Sequence, residues 1–281
     1  MYKKPSLPKQ FLIYIGMTVV ALIFMFPLIW MIVSSFKDDA MIFSDITSLK
    51  AFVPAFKEDV FFNYKEVISK LPLVKAMLNS LSYIIVIIAL GLIVNSMAGY
   101  AFARLKFPKK NLLFALILAV MIIPAQTVML PQFSIIYKMG LSNSYLALIL
   151  PAIASPMYIF LFRQNFMGIP ESIEEAAKLD GASAIRTFFQ LVVPLAKPVY
   201  ATVGILVFIA CWNDYVGPLM YLQDSKLYTL GIGLQMFKNA AQPEWTLLMA
   251  ASTVFTVPLI VIFFFCQNAF LNGIQTTSGI K

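Results

Sequence analysis

The sequence predicts an all-α membrane protein with six transmembrane helices and short additional helices between the fourth and fifth of them. Hydrophobic residues make up 60% of the 281 residues and charged residues only 12%, and a soluble domain of this size could not bury that much apolar surface. Six apolar segments are also long enough to cross about 30 Å of hydrocarbon at about 1.5 Å per residue. Helices are required because lipid offers no partner to unpaired backbone groups, and the segments are too long for barrel strands.

We place the six spans near residues 11–35, 74–102, 111–132, 142–163, 197–221 and 246–270. Together they form one transmembrane domain, residues 11–271, which follows an N-terminus at 1–10 and precedes a tail at 272–281. The first span has lysines before it, as a signal peptide has. Its apolar run exceeds the usual length of roughly 7–15 residues, and no small-residue cleavage site follows, so we interpret it as a retained anchor.

The orientation follows from lysine and arginine in the short loops. The loop at 103–110 contains basic residues and no acid, whereas the loop around 133–141 contains only Lys138. The first loop is therefore predicted to be cytoplasmic, and with it both termini and the loop at 164–196. The net charge of +8 mostly reflects this bias, and no basic groove with interleaved aromatic residues points to nucleic acid as a partner.

The loop at 164–196 contains a polar, helix-forming segment. Ser172 and Glu175 have the spacing of a capping box, in which each side chain bonds a free backbone N–H at the start of a helix. Gly181 then supplies the left-handed residue that ends the helix. One face of this predicted helix is small and nearly flat, and consists of Ile173, Ala176, Ala177 and Asp180.

Two interpretations of this helix compete. It could lie in the lipid interface, where such helices usually carry bulky Trp, Phe or Leu on one face and Lys or Arg on the other. The segment offers alanines and carboxylates instead, which favours docking into a cleft of a protein partner. Ser183 is a candidate cap for a second short helix that reaches Phe189.

Motifs in and around this loop resemble a known family. Glu175-Ala176-Ala177, then Gly181, then Leu191-Val192-Val193-Pro194 resemble, in order and spacing, the E-A-A loop of ABC-importer permease subunits. Leu191 and Val193 are conservative departures from that pattern. Other segments look like the carbohydrate-uptake branch, in particular the second permease of maltose-type transporters: Ser34–Lys37, Met129–Pro131, Phe162–Gln164, Trp212–Asp214, Pro218–Leu219 and Asn272–Lys281.

The resemblance implies a multi-pass subunit of a bacterial cell membrane that forms half of the pore of an ATP-driven importer for a sugar or oligosaccharide. The implied partners are a second, homologous permease, two ATP-binding subunits and an extracytoplasmic substrate-binding protein. It implies contacts with the ATPase for Ser172, Glu174, Glu175, Ala176, Ala177, Asp180, Gly181, Ser183 and Pro194. The tail is similar to family tails that reach between the ATPase subunits, which implies contacts for Gly273, Thr277 and Gly279; a frayed terminus is the alternative.

The chemistry of an enzyme is missing from the sequence. There is no histidine, and both cysteines, Cys211 and Cys266, lie in predicted spans, where a free thiol usually acts as a small hydrophobic group. Metal clusters and Cys/His or Ser/His/Asp catalysis are therefore not expected. No glycine-rich loop ends in Gly-Lys-Ser or Gly-Lys-Thr. We expect no cofactor on this chain, with ATP and Mg²⁺ bound by the partner ATPase.

A few polar residues inside the spans are candidates for the solute pathway: Asn213, Asp214, Asn95 and Gln126. Asp214 is the one acid inside a predicted span, where a charge costs roughly 2.5–3.5 kcal/mol at mid-bilayer, so it should face the bundle or a wet cavity. An interhelical hydrogen bond near the interface is the slightly favoured alternative. For Asn95, with Gly91, Ser96 and Gly99, close helix packing is the first interpretation.

Prolines predict helix breaks in the third and fourth spans. Pro124 precedes Gln126 in the third span, and Pro151 and Pro156 flank Ser155 in the fourth. Each proline removes a backbone hydrogen bond, so kinks are expected at these places.

Two other classes of function compete with an ATP-driven importer. A secondary transporter or channel would need a proton or sodium site, yet the predicted spans hold one acid and no histidine, and no inverted repeat is evident. A membrane-bound enzyme would need catalytic groups that the sequence lacks.

Overall fold

The structure is a computed structural model, and it describes residues 7–44, 48–55, 59–70, 72–239 and 244–277. Every regular element in these ranges is helical. The α-helices are α1 (Leu7–Ser34), α2 (Asp39–Ser44), α3 (Phe62–Lys70), α4 (Leu73–Arg104), α5 (Lys110–Val120), α6 (Ala125–Lys138), α7 (Leu146–Ala152), α8 (Pro156–Met167), α9 (Glu171–Leu179), α10 (Ala184–Thr187), α11 (Val193–Leu195), α12 (Lys197–Asn213), α13 (Val216–Tyr221), α14 (Leu230–Lys238) and α15 (Trp245–Thr277). Short 3₁₀-helices cover Leu49–Phe52 and Ser225–Leu227, and a π-helical turn covers Phe188–Val192.

Helices α1, α4 and α15 are each long and apolar enough to cross a membrane. Three bent pairs also qualify if each pair is taken as one span, which gives up to six spans in the described residues. The pairs are α5 with α6, bent by 99°, α7 with α8, bent by 42°, and Ala184–Leu195 with α12, bent by 80°. The prediction of an all-helical membrane protein is confirmed, and the predicted spans three and four are broken helices.

The breaks in these two spans lie where the prolines predict them. Helix α5 stops at Val120, and α6 begins directly after Pro124. Helix α7 contains Pro151, and α8 begins at Pro156. Proline has no N–H to continue an α-helix and fixes its own φ, so these positions favour the start of a new segment.

The predicted fifth span, 197–221, is not one helix. Helix α12 ends at Asn213, and Asp214 has an extended backbone before α13 begins at Val216. The sixth helix, by contrast, is longer than expected: α15 continues to Thr277, beyond the predicted end of the transmembrane domain at residue 271.

The chain divides into two compact units, one of residues 1–73 with 233–258 and one of residues 74–232 with 259–281. In the first unit, the Lys37 side chain is buried and donates hydrogen bonds to the carbonyls of Lys50 (2.8 Å) and Ala51 (3.2 Å). The Asn63 amide donates to the carbonyls of Ser35 and Lys37. The Ser34–Lys37 segment therefore anchors the connection that follows the first span.

In the second unit, α4 packs closely against α8. A Cβ atom built on Gly99 would lie 2.6 Å from Cβ of Phe162 and 3.0 Å from the backbone nitrogen of Arg163. Only glycine allows this approach of the two backbones. The predicted role of Gly99 in close helix packing is confirmed, and this packing places the end of α4 beside the loop at 164–196.

Candidate functional site

The first helix of the 164–196 loop begins two residues earlier than the capping box predicts. Helix α9 starts at Glu171, with Pro170 in the capping position and no hydrogen bond from a side chain to the free backbone N–H groups. The predicted capping box of Ser172 and Glu175 is therefore wrong. Pro170 has a fixed φ and an extended backbone (φ −57°, ψ 130°) that sets the start of the helix. Glu171 and Glu174 lie in the first turn, where carboxylates favour the positive end of the helix dipole.

The end of α9 agrees with the prediction. Gly181 has a φ of +76°, which the left-handed C-terminal motif of helices requires. The Gly181 N–H donates to the Lys178 carbonyl over 3.0 Å, and the Ala182 N–H donates to the Ala177 carbonyl over 2.9 Å. These two bonds are the pair that defines the Schellman motif. Gly181 thus turns the chain sharply out of α9.

A second short helix follows, as predicted from Ser183. The Ser183 hydroxyl accepts a hydrogen bond from the Arg186 N–H over 3.3 Å and caps α10. The helix widens into the π-helical turn Phe188–Val192 and then continues as α11, which contains Pro194. In a regular α-helix the proline ring would clash with the carbonyl four residues earlier, and the wider turn relieves that conflict.

The faces of α9 differ from the expected ones. Ala177 is only 7% exposed and Ile173 is half-buried, so both face the rest of this chain. The opposite side is exposed, and we call it the outer face of α9; it consists of Ser172, Glu175, Ala176 and Leu179. Leu179 is 90% exposed. The predicted flat face, which combined Ile173 and Ala177 with Ala176 and Asp180, is therefore divided between the inner and outer sides.

Another exposed apolar side chain of this loop is Ile185 of α10. Leu179 and Ile185 flank the Gly181 turn in sequence, in a loop that is otherwise rich in charged residues. Large apolar side chains that are exposed among polar residues in this way are candidates for contact with a partner.

Glu174 faces inward, although the resemblance implied contact with the ATPase. Its Oε1 atom lies 2.7 Å from Nε of Arg104, the last residue of α4, close enough for an ion pair though not aligned as a directed hydrogen bond. Its Oε2 atom accepts a hydrogen bond from the Tyr100 hydroxyl over 2.9 Å. The sequence analysis used Arg104 only as one of the basic residues that indicate orientation, and it did not predict a role for Tyr100. Their spacing of four residues, one helical turn, was the available signal.

The structure places Asn213 at the last residue of α12 and Asp214 in the break that follows it. Both side chains are exposed. The Asp214 carboxylate accepts a hydrogen bond from the Gly217 N–H over 3.1 Å, and the Asn213 amide donates to the Ile209 carbonyl over 2.8 Å. The prediction that Asp214 lies within the fifth helix is wrong because its short side chain competes for the backbone N–H groups that follow it.

The other two pathway candidates have opposite surroundings. Gln126 is exposed at the second residue of α6, just after the break in the third span. Asn95 is completely buried, and its amide bonds the carbonyls of Gly91 and Ile153. Asn95 therefore bonds its own helix and the break after α7, as close helix packing predicts.

The predicted tail contacts are described only in part. Gly273 and Thr277 lie in the last turns of α15, whereas Gly279 lies outside the described residues. The backbone at this end of the chain is helical as far as Thr277.

Comparison with protein families identifies the class of protein. A family described as "Binding-protein-dependent transport system inner membrane component" matches residues 87–275, which include the whole 164–196 loop. The chain belongs to this family. It is a transmembrane permease subunit of an ABC importer and not an enzyme, and the alternative of a secondary transporter or channel is not supported.

Curated relatives of this permease match it over most of their length. It is 34% identical over 291 residues to the arabinooligosaccharides transport system permease protein AraQ of Halalkalibacterium halodurans, with all of both chains covered. It is 31% identical to the lactose transport system permease protein LacG of Rhizobium radiobacter, over 92% of this chain and 93% of that protein. It is 29% identical to the trehalose/maltose transport system permease protein MalG of Thermococcus litoralis, over 97% of each.

A solved structure has the same fold as this permease. It is a chain of a bacterial ABC transporter involved in the import of the acidic polysaccharide alginate. The TM-score is 0.82 at 21% sequence identity, over 96% of this chain and all of that chain.

Proposed function

We propose that this permease imports a sugar or oligosaccharide and that the outer face of α9 docks on the ATPase subunit. The observation that carries the coupling proposal is the exposure of Leu179 and Ile185 on either side of a rigid Schellman turn. A leucine that is 90% exposed buries little apolar area within this chain, whereas its burial in a cleft of a partner would contribute roughly 1.5–3 kcal/mol.

The chemistry of the outer face suits a close protein contact. Ala176 has a small side chain that lets a partner's surface approach the helix backbone, and Glu175 is exposed beside it. Glu175 is free to meet a basic residue at the rim of the cleft, where such a pair adds specificity more than affinity. Exposed apolar and charged residues in the same loop match the composition of an interface, with an apolar core and a polar rim.

The loop at 164–196 can be reached by an ATPase only if it is cytoplasmic. The basic residues at 103–110 support that orientation. In this arrangement both termini are cytoplasmic, and ATP and Mg²⁺ are bound by the ATPase. The C-terminal tail, with Gly273, Thr277 and Gly279, provides a second contact by reaching between the ATPase subunits.

Transmission of force requires more than one contact. To move a two-state pore from about 1:99 to 99:1, the ATPase must favour one state by roughly 5.5 kcal/mol. A single exposed ion pair supplies at most about 1 kcal/mol. We therefore propose that α9 and the helix after Gly181 move together as one body, with Ser172, Asp180, Ser183 and Pro194 shaping the ends of that body.

The class of solute is proposed from two arguments. The relatives named above are permeases for arabinooligosaccharides, lactose and trehalose/maltose. Another relative is an sn-glycerol-3-phosphate permease, 34% identical over 64% of this chain. The exposed pathway candidates Asn213, Asp214 and Gln126 carry no positive charge and include one acid, which favours a neutral sugar over a phosphorylated solute.

Site-specific crosslinking tests the docking proposal. Cys211 and Cys266 are first replaced by alanine, and a single cysteine is then placed at Ala176, which is exposed, or at the buried neighbour Ala177 as a matched control. In the assembled importer, Ala176→Cys is expected to crosslink to the ATPase subunit and Ala177→Cys is not. Crosslinking of neither residue, or labelling of Ala176→Cys from the extracytoplasmic side, would contradict the proposal.

The solute is tested on the assembled system. The substrate-binding protein and the full importer in proteoliposomes are given a panel of neutral oligosaccharides and sn-glycerol-3-phosphate. ATP-dependent uptake of a neutral sugar with a partner permease present supports the proposal, whereas uptake of the phosphorylated compound alone would contradict the assignment of solute class.

A further inference from the structure

We propose that Arg104 and Tyr100 act as a clamp that holds Glu174, and that this clamp passes the movement of α9 to helix α4. The inference rests on the proposed function of α9 as the element that docks on the ATPase. It adds positioning residues on the inner side of α9, opposite the docking surface.

Arg104 joins three elements with one side chain. Its Nη2 atom donates hydrogen bonds to the carbonyls of Phe166 (2.8 Å) and Ile169, at the end of α8 and just after it. Its Nε atom lies 2.7 Å from Glu174 of α9. Because Arg104 is itself the last residue of α4, the ends of α4 and α8 and the first turn of α9 meet at a single guanidinium group.

The carboxylate of Glu174 completes the clamp. One oxygen faces Arg104, and the other accepts the hydroxyl proton of Tyr100, one turn earlier on α4. The side chains of Arg104 and Glu174 are only 9% and 13% exposed. Water therefore screens this pair weakly, and the loss of one partner would leave a poorly solvated charge.

A neighbouring contact shows the difference between a clamp and a surface pair. Arg104 Nη1 also lies 3.3 Å from Glu171 of α9, but Glu171 is 78% exposed. Exposed pairs of this kind contribute little. Glu171 therefore offers a matched control on the same helix, with the same charge and the same partner.

Two aromatic rings pack against Tyr100 of the clamp. The Tyr100 ring lies 5.0 Å from the ring of Phe188 and 6.2 Å from that of Phe166, measured between centroids. Phe188 follows α10, so the same tyrosine touches both sides of the Gly181 turn. A displacement of α9 or α10 by a partner would push directly on the end of α4.

The shape of the guanidinium group explains why arginine occupies position 104. A planar group with several fixed N–H donors can bond two carbonyls and a carboxylate at once, whereas a lysine ammonium is a single point charge. Arg104→Lys keeps the charge and loses this geometry. This variant therefore separates the effect of the positive charge from the effect of the simultaneous bonds to α8 and α9.

The test uses the complete importer with both permeases, the ATPase and the binding protein in proteoliposomes. Uptake and ATP hydrolysis are measured together for Glu174→Gln, Arg104→Lys, Tyr100→Phe and the control Glu171→Gln. In Glu174→Gln and Arg104→Lys, uptake per ATP hydrolysed is expected to fall about tenfold, within the range of typical coupling between sites. Tyr100→Phe keeps the ring contacts and is expected to show a smaller fall, and Glu171→Gln none.

The variants are also expected to retain the ATPase subunit, because the outer face of α9 is unchanged. A normal uptake-to-hydrolysis ratio in Glu174→Gln overturns the clamp. The clamp is also overturned if the Glu174→Gln protein is lost from the membrane and Tyr100→Phe has an unchanged uptake-to-hydrolysis ratio. That result would indicate that the contacts of Glu174 serve folding alone. If instead the unmodified permease fails to retain the ATPase, the proposed docking function fails, and the two failures are thereby distinguished.

Discussion

The side-chain oxygen of Asn95 accepts a hydrogen bond from the backbone N–H of Ser155 over 2.8 Å. Ser155 is the capping residue of α8, directly after the break that separates α7 from α8. The Asn95 amide also donates to the carbonyl of Ile153 in the same break over 2.9 Å. One buried side chain of α4 thus supplies both a donor and an acceptor to a backbone that a proline has interrupted.

We predict that Asn95→Leu destabilises the permease by about 1–3 kcal/mol, because it leaves the partly buried N–H of Ser155 and carbonyl of Ile153 without this partner. Thermal unfolding of the purified protein in detergent measures this as a lower midpoint. Asn213→Leu is the control, since that side chain is exposed and bonds only its own helix. Equal midpoints for the two variants would show that water or lipid replaces the bonds of Asn95.

We predict that Gly99→Val disrupts the packing of α4 on α8. The added Cβ alone would lie 2.6 Å from Cβ of Phe162, and such overpacking typically costs about 1–3 kcal/mol. The amount of folded protein recovered from membranes is expected to fall. Gly16→Val is the control, because nothing lies within 4 Å of a Cβ at that position; similar losses in both variants would rule out a packing effect.

We predict that Gly181→Asp leaves the permease in the membrane and uncouples ATP hydrolysis from uptake. A left-handed residue other than glycine costs roughly 1–2 kcal/mol, and the strain would misdirect the chain after α9. Gly140 has a similar φ of +70° and open surroundings but lies outside the loop at 164–196, so Gly140→Asp should keep normal coupling. Normal substrate accumulation by Gly181→Asp would argue strongly against docking through this loop.

We predict that Leu179→Asp reduces the amount of ATPase subunit that copurifies with the permease. A charge would replace the apolar side chain that we expect to fill a cleft, and desolvation of an unpaired charge opposes binding. Lys178→Asp serves as the control, since Lys178 is exposed but lies outside the outer face of α9. Undiminished copurification with Leu179→Asp would place the docking surface elsewhere.

We predict that the purified permease alone hydrolyses no ATP. The sequence has no phosphate-binding loop of the ATPase type, so nucleotide chemistry has to come from another subunit. A phosphate-release assay on a clean preparation checks this. Turnover that survives further purification would refute the division of labour between the subunits.

The local features of the 164–196 loop could be read from the sequence with mixed success. Gly181 and Ser183 behave as predicted, because a left-handed glycine and a serine cap depend on a few neighbouring residues. The capping box at Ser172 was wrong for an equally local reason: Pro170 already starts the helix. Local rules compete with each other, and a proline of fixed φ outweighs a serine two residues later.

The sequence by itself determined the membrane class, the approximate spans and the breaks near Pro124 and Pro151. These follow from hydropathy and from the backbone chemistry of single residues, which do not depend on distant parts of the chain. Only the tertiary structure decided which side of α9 faces outward. The same is true of the hydrogen bonds from Asn95 to the break between α7 and α8, and of the pairing of Glu174 with Arg104. Those outcomes depend on partners that lie far away in sequence and become neighbours only when α4 packs against α8 at Gly99.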